Sequence, residues 1–207
     1  MSWQAIQLDL FEACKSLLEP HGYKRVKSRS SFEKPTATGR LMVQLLFVAS
    51  DVGNQSVQIG CGVRHNAIEQ LVSMGAAPKP GAGAIPTTIH AEWSGRFWLN
   101  SVAEQAEAAF ELPRYIREVA LPFLEREYSL ADFSTLLNVT DGEGKPIERI
   151  GMGVRFWQRG LAAARLAGDP RFDSLRRQYT EYLRTLSNGC YLPEFERCLK
   201  YMDDHSG

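Results

Sequence analysis

Apolar residues recur every three or four positions at the start of the chain: Trp3, Ile6, Leu10, Phe11, Cys14, Leu17 and Leu18. That spacing predicts an amphipathic helix with one buried face. Pro20 and Gly22 end it. The period then changes to two. Across Gly22 to Phe32, Val26 and Phe32 alternate with polar residues, and Arg25, Lys27 and Arg29 fall on one face of a predicted single strand, with Tyr23 on the same side. Pro35 to Gly39 supplies a turn. Leu41 to Val48 is a nearly unbroken apolar run, interrupted only by Gln44, and reads as a central strand. Val57, Ile59, Cys61 and Val63 alternate with Gln58, Gly60, Gly62 and Arg64, the pattern of a half-buried strand.

A short helix is predicted from about Ala67 to Met74, followed by the loop Gly75 to Pro86, whose Gly, Ala and Pro content cannot hold a regular element. Strand pattern returns at Ile89 to Trp93 and at Arg96 to Leu99. Ser101 and Glu104 have the spacing of a capping box and predict a helix start. Leu112-Pro113 predicts its break, with a second helix running to about Tyr128 and bent or restarted at Pro122. Ser129 to Leu137 reads as a further short helix.

Asp141 to Pro146 is a strong turn. It divides the chain into an α+β domain over residues 1–138, a linker over 139–153 and a helical subdomain over 154–207. In the subdomain, Phe156, Trp157, Gly160, Leu161 and Ala164 mark one helix ended by Gly168, and Asp169-Pro170 opens the next. Phe172, Leu175, Tyr179, Leu183 and Leu186 form the stripe of that helix, and Pro193 opens a last one through Phe195, Leu199 and Met202. The fold class is therefore α+β: an N-terminal helix on a mainly antiparallel sheet of four or five strands, followed by a C-terminal helical bundle.

Charge changes this picture only locally. Lys+Arg and Asp+Glu each number 24, so no global field recruits nucleic acid or an acidic membrane. No apolar stretch approaches the roughly 20 residues that cross a bilayer, and residues 1–15 lack the basic and apolar regions of a secretory signal. Cys14, Cys61, Cys190 and Cys198 have no paired spacing, and three of them fall at predicted core positions. These features together lead to the expectation of a reduced cytoplasmic setting.

Candidate chemistry is sparse. His90 and Glu92 are two apart on a predicted strand and would share a face, with Arg64 or His65 near them, as an acid/base pair for phosphodiester or similar work. The plainer reading makes them exposed residues of a one-sided sheet. His21, His65, His90 and His205 lie far apart and show no ligand spacing, so no metal and no cofactor is expected. Lys145 is followed by Pro146, which excludes a phosphate-binding Walker loop. The basic stripe remains. Alternate strand residues about 7 Å apart suit a row of carboxylates or phosphates, and Tyr23 could stack on a base. Basic residues also guard exposed sheet edges against aggregation. With zero net charge, an acidic protein surface ranks ahead of nucleic acid as a partner.

The order helix, Gly22-Tyr23-Lys24-Arg25, Phe32, an apolar strand with Gln44, the alternating strand Val57 to Val63, and a later Leu121-Pro122 helix resembles a bacterial family, domain of unknown function 4304. The resemblance covers roughly residues 1–137, implies an α+β fold in a non-secreted bacterial protein, and carries no catalytic residues. The functional expectation is a non-enzymatic cytoplasmic protein-interaction domain, of which a toxin-neutralising, immunity-type protein is a concrete version. The alternative is a small enzyme acting on a phosphorylated or nucleotide substrate, with His90 and Glu92 as acid and base and Arg25, Lys27 and Arg29 as anion binders.

Overall fold

A computed structural model describes residues 2–51, 53–75, 87–91, 95–139 and 154–205. In chain order the elements are α1 (Trp3–Leu18), β1 (Lys24–Val26), β2 (Ser31–Pro35), β3 (Gly39–Ala49), β4 (Gln55–His65), α2 (Asn66–Gly75), β5 (Ile89–His90) and β6 (Arg96–Trp98). Helices α3 (Val102–Tyr115), α4 (Leu121–Leu124), α5 (Leu130–Leu137), α6 (Arg155–Ala167), α7 (Phe172–Thr185) and α8 (Leu192–Asp204) follow. The fold is α+β. It comprises two compact units, one of Met1–Arg64 with Gly83–Glu127 and one of His65–Ala82 with Tyr128–Gly207. This division differs from the expected boundary at 139–153, because α2 and α5 are packed with α6 and α8. The turn Asp141 to Pro146 and the loop Ala76 to Pro86 lie outside the described residues.

In the first unit, the Ser2 hydroxyl accepts the Ala5 N–H at 3.3 Å and caps α1. The buried residues of α1 are Ile6, Leu10, Phe11, Cys14 and Leu18, as the period predicts. Pro20 closes the last turn, and Gly22 takes the left-handed conformation (φ 84°) that lets the chain reverse into β1. Phe11 packs on Phe32 and Phe47, with ring centroids 5.9 and 5.4 Å away, so α1 covers the sheet face that carries these rings.

The sheet has six strands in the order β1-β2-β3-β4-β5, with β6 also paired to β4. Phe32 lies opposite Val43, Glu33 opposite Met42 and Ser31 opposite Gln44. The sixth strand arises because the expected single strand across Arg25, Lys27 and Arg29 is broken. β1 ends at Val26, Lys27–Arg29 forms a 3-10 turn, and Ser30 adopts a left-handed conformation (φ 48°) before β2 begins. Alternation around a 3-10 turn does not keep residues on one face, so the three cations do not form a stripe. β4 is buried along most of its length, since it pairs with neighbours on both edges.

The capping box at Ser101 and Glu104 is formed and starts α3. The expected break at Leu112-Pro113 is absent. The helix runs through Pro113 and widens into a π-helical turn at Ile116–Ala120 before α4. A proline inside a helix costs about 3 kcal/mol. Leu112, Tyr115, Ile116, Leu121 and Leu124 are all buried along this stretch, and each contributes about 1.5–3 kcal/mol of burial. Packing therefore outweighs the proline, and the π turn takes up the misfit.

In the second unit, α6 is buried over Phe156 to Ala164, on every side. Gly168 (φ 63°) ends it, as the sequence predicts. The approach of α5 to α6 depends on Gly160: a Cβ there would meet the Asn138 side chain. Asn138, at the end of α5, donates instead to the Gly160 carbonyl at 2.9 Å and accepts the Tyr179 hydroxyl at 2.7 Å. Helix α7 starts at Phe172, later than Asp169-Pro170 suggests, because the Asp169 carboxylate holds the Arg171 N–H at 2.9 Å ahead of the first turn. α8 opens at Leu192 with Pro193 in its first turn.

Candidate functional site

The basic segment is built around Glu33, on the sheet face turned away from Phe32. The Arg29 Nη2 donates to Glu33 Oε2 at 3.2 Å, and its Nε lies 2.8 Å from Oε1, close enough for an ion pair but off the line of a hydrogen bond. Arg40 Nη1 donates to Oε2 at 2.7 Å, and the Ser31 hydroxyl donates to Oε1 at 2.9 Å. Glu33 is buried. A buried carboxylate needs this many donors, since an unpaired ion there loses its hydration without compensation. No sequence motif announces the cluster; its only local trace is that Ser31, Glu33 and Arg29 are two and four residues apart.

Arg25 is engaged elsewhere. Its guanidinium carbon sits 4.1 Å from the Phe11 ring centroid and its Nη1 3.7 Å from Glu12. Lys27 differs from both arginines: it is exposed and faces no carboxylate among the described residues. Lys24 is likewise exposed and unpaired among the described residues. Lys34 has its ammonium 5.7 Å from the Tyr23 ring.

Tyr23 does not share an accessible face with these cations, as the sequence reading expects. It is 1 % exposed. Burial, reinforced by Glu125 and Cys61, pushes its phenol pKa well up. The aromatic ring therefore belongs to the core, and stacking on a base is excluded by its burial. What the structure does bring together are Arg29 and Gln44. With Gln7, Ser28, Ser30 and Leu46, they line a cleft of about 390 Å³ beside the 3-10 turn.

His90 lies on β5 opposite Gly62 of β4, half-buried. The Thr87 hydroxyl stands 2.8 Å from an imidazole nitrogen. Gly62 is required there, because a Cβ would come within 2.8 Å of the Thr87 side chain and 2.7 Å of the Ile89 carbonyl. Glu92, the expected partner of His90, lies outside the described residues. His65 belongs to the second unit, where it packs 5.3 Å from the Phe133 ring centroid, and burial lowers its pKa so that the ring is neutral near pH 7. Further along the first unit's sheet, Gln58, with its oxygen turned to Arg96, accepts from Nε and Nη2 at 2.9 Å each. His21 and Glu125 meet at 2.6 Å on the surface.

The thiols are poor nucleophiles where they are buried. Burial pushes Cys14 and Cys198 up to about 12 and Cys61 up to about 11. Among the described residues, no group of three His, Cys, Asp or Glu side chains could hold a metal ion, and no helix is long and apolar enough to cross a membrane. Sequence reasoning missed the most deeply buried charges among the described residues: Glu69 on α2 and Arg159 on α6, joined in two hydrogen bonds of 2.7 and 3.2 Å. They are 90 residues apart, so no local pattern pairs them.

No family profile matches this chain, and neither the curated proteins nor the solved structures compared with it include a match.

Proposed function

We propose that this chain is a non-enzymatic protein-interaction domain that binds an acidic surface of a partner protein at the turn Lys27–Arg29. Lys27 supports the reading most directly. Arg25 and Arg29 are held by Glu12 and Glu33, whereas Lys27 projects from the turn unopposed among the described residues, next to a cleft that Arg29 lines. Lys24 and Lys34 extend the positive potential around it, and Glu33 adds no free negative charge because two guanidiniums meet it. A cytoplasmic, immunity-type role in which the acidic partner is a toxin is the concrete version, and the family resemblance over residues 1–137 adds the bacterial setting.

The test is charge reversal at Lys24 and Lys27 together. Both are exposed, and exposed charges contribute only about 0–1 kcal/mol to folding, so the double Glu variant stays folded. Affinity capture from the source cell, read at low and physiological salt, should recover a protein with the parent chain and lose it with the variant. Equal recovery by both proteins rules the reading out.

A second reading keeps the enzyme alternative: His90, held by the Thr87 hydroxyl at 2.8 Å, serves as the proton-transfer group with Glu92, on a phosphorylated or nucleotide substrate. His90→Ala with Glu92→Ala decides it: unchanged function in the host removes the enzyme.

A further inference from the structure

β3 is longer than the strand that covers it. β2 pairs with Arg40 to Gln44, and the Leu45 N–H makes one more bond, to the Ser30 carbonyl at 2.9 Å. The chain then turns away through Lys27–Arg29, while β3 continues to Ala49. In an antiparallel ladder the N–H and C=O of alternate residues point to the same side. The Phe47 and Ala49 backbone groups therefore point where Leu45 points, along an edge that no strand occupies among the described residues. The cleft of about 390 Å³ lies beside this edge, lined by residues 44–47 of β3, by Ser28, Arg29 and Ser30 of the turn, and by Gln7 of α1.

We infer that this open edge of β3 takes an extended acidic segment of the partner protein, which pairs as an added strand antiparallel to Leu46–Ala49. The inference deepens the acidic-partner reading and rests on it. These four residues of β3 span about 14 Å, and Phe47 and Ala49 each offer an N–H and a C=O, enough for two pairs of backbone bonds. A strand lying in line with β2 and antiparallel to β3 brings its C-terminal end to the 3-10 turn, where Lys27 is exposed and the Arg29 side chain is 29 % exposed. Acidic residues belong at that end. Leu46, 44 % exposed at the cleft, offers apolar ground for alternate side chains of the incoming strand. The same edge explains the local charge: basic residues beside an open edge repel further basic chains and admit acidic ones.

Fluorescence anisotropy with a labelled peptide, Thr-Val-Thr-Val-Thr-Glu-Glu, tests this directly. Two control peptides carry N-methyl groups on alternate residues or Gln in place of both Glu. Strand addition predicts that N-methylation weakens binding at least tenfold, since it removes backbone donors and leaves charge intact. Ala49→Pro, at an exposed position whose N–H faces the edge, should weaken the parent peptide by a similar factor and abolish its advantage over the methylated one. Hydrogen exchange should show the Phe47 and Ala49 amides protected by the parent peptide alone.

If parent and methylated peptides bind alike while Lys27→Glu still abolishes binding, the added strand is wrong and the acidic-partner reading survives. If methylation matters but neither the Gln peptide nor Lys27→Glu changes affinity, the edge takes strands regardless of charge, and the acidic occupant is overturned. A dimer of the free protein that Ala49→Pro dissolves makes a second copy the occupant, which also overturns it. Absence of binding by the parent peptide refutes the inference outright, and the comparison of parent, methylated and Gln peptides uses the unaltered protein, so that part of the test does not depend on a variant folding.

Discussion

Replacing Glu69 with Ala should be among the most damaging single changes in this protein. The Glu69 side chain is 1 % exposed and that of Arg159 6 %, and the guanidinium meets both carboxylate oxygens, at 2.7 and 3.2 Å. Truncating the acid leaves a buried cation without its bidentate partner, which costs about 3–5 kcal/mol. Domains of this size are stable by only about 5–15 kcal/mol, so the loss would consume about a fifth of the total or more. Arg159→Met should cost a similar amount for the mirror-image reason. The double variant Glu69→Met with Arg159→Met removes both charges and refills the space. It should recover to within about 1 kcal/mol of the parent or exceed it, because a buried pair gains little net energy over well-packed apolar residues. Urea unfolding followed by tryptophan fluorescence suits the measurement, since Trp157 is buried on the same helix. The four proteins form a double-mutant cycle, and the coupling energy isolates the pair. Single variants that each lose under about 0.5 kcal/mol, the behaviour of an exposed pair, would show that the two charges are solvated and the reasoning wrong.

Gly160→Ala should cost about 1–3 kcal/mol, because the new Cβ runs into Asn138 and disturbs its bond to the Tyr179 hydroxyl; a melting temperature unchanged from the parent contradicts the close approach of α5 and α6. In the folded protein at pH 8, a thiol reagent should modify Cys190, which is exposed, far faster than Cys14, Cys61 or Cys198, which burial keeps protonated; a second rapidly reacting thiol counts against the buried assignments. The hydrogen bond from Arg171, together with that from Ser134, holds Asp169 well below the usual carboxylate range despite some desolvation. A depressed carboxylate contributes stability above the unfolded value of about 4 and loses it as pH falls below that. The advantage of the parent over Asp169→Asn in urea midpoint should therefore be full at pH 7 and shrink below about pH 4; an advantage independent of pH shows that ionisation is not its source.

Legibility followed range. Ser101 with Glu104, and Gly168 at the end of α6, act within one turn of backbone, so their roles are written in residues three or four apart. The stripe of α1 and the alternation of Val57, Ile59, Cys61 and Val63 are also local, and the elements form where they predict. The basic segment misled because alternation assumes a continuous strand. Lys27–Arg29 instead closes a 3-10 turn, whose geometry is stabilised by pairing β1 back on β2 and by Glu33 drawing in both Arg29 and Arg40. Pro113 misled for a related reason: helix propensity is local, whereas the burial that overrides it comes from elements distant in the chain.

The sequence by itself determined the α+β class, the capping of α3 and the end of α6, the strand runs of β3 and β4, and the placement of cationic residues between Tyr23 and Phe32. Only the tertiary structure decided which of those cations remain available, because charge neutralisation depends on distance in space. Glu12 and Glu33 take Arg25 and Arg29, Tyr23 goes to the core, and Lys27 is left facing outward. The open edge of β3 is likewise a property of pairing: it exists because β2 stops opposite Gln44 while β3 runs on to Ala49, and strand pairing is a relation between segments that no single segment encodes.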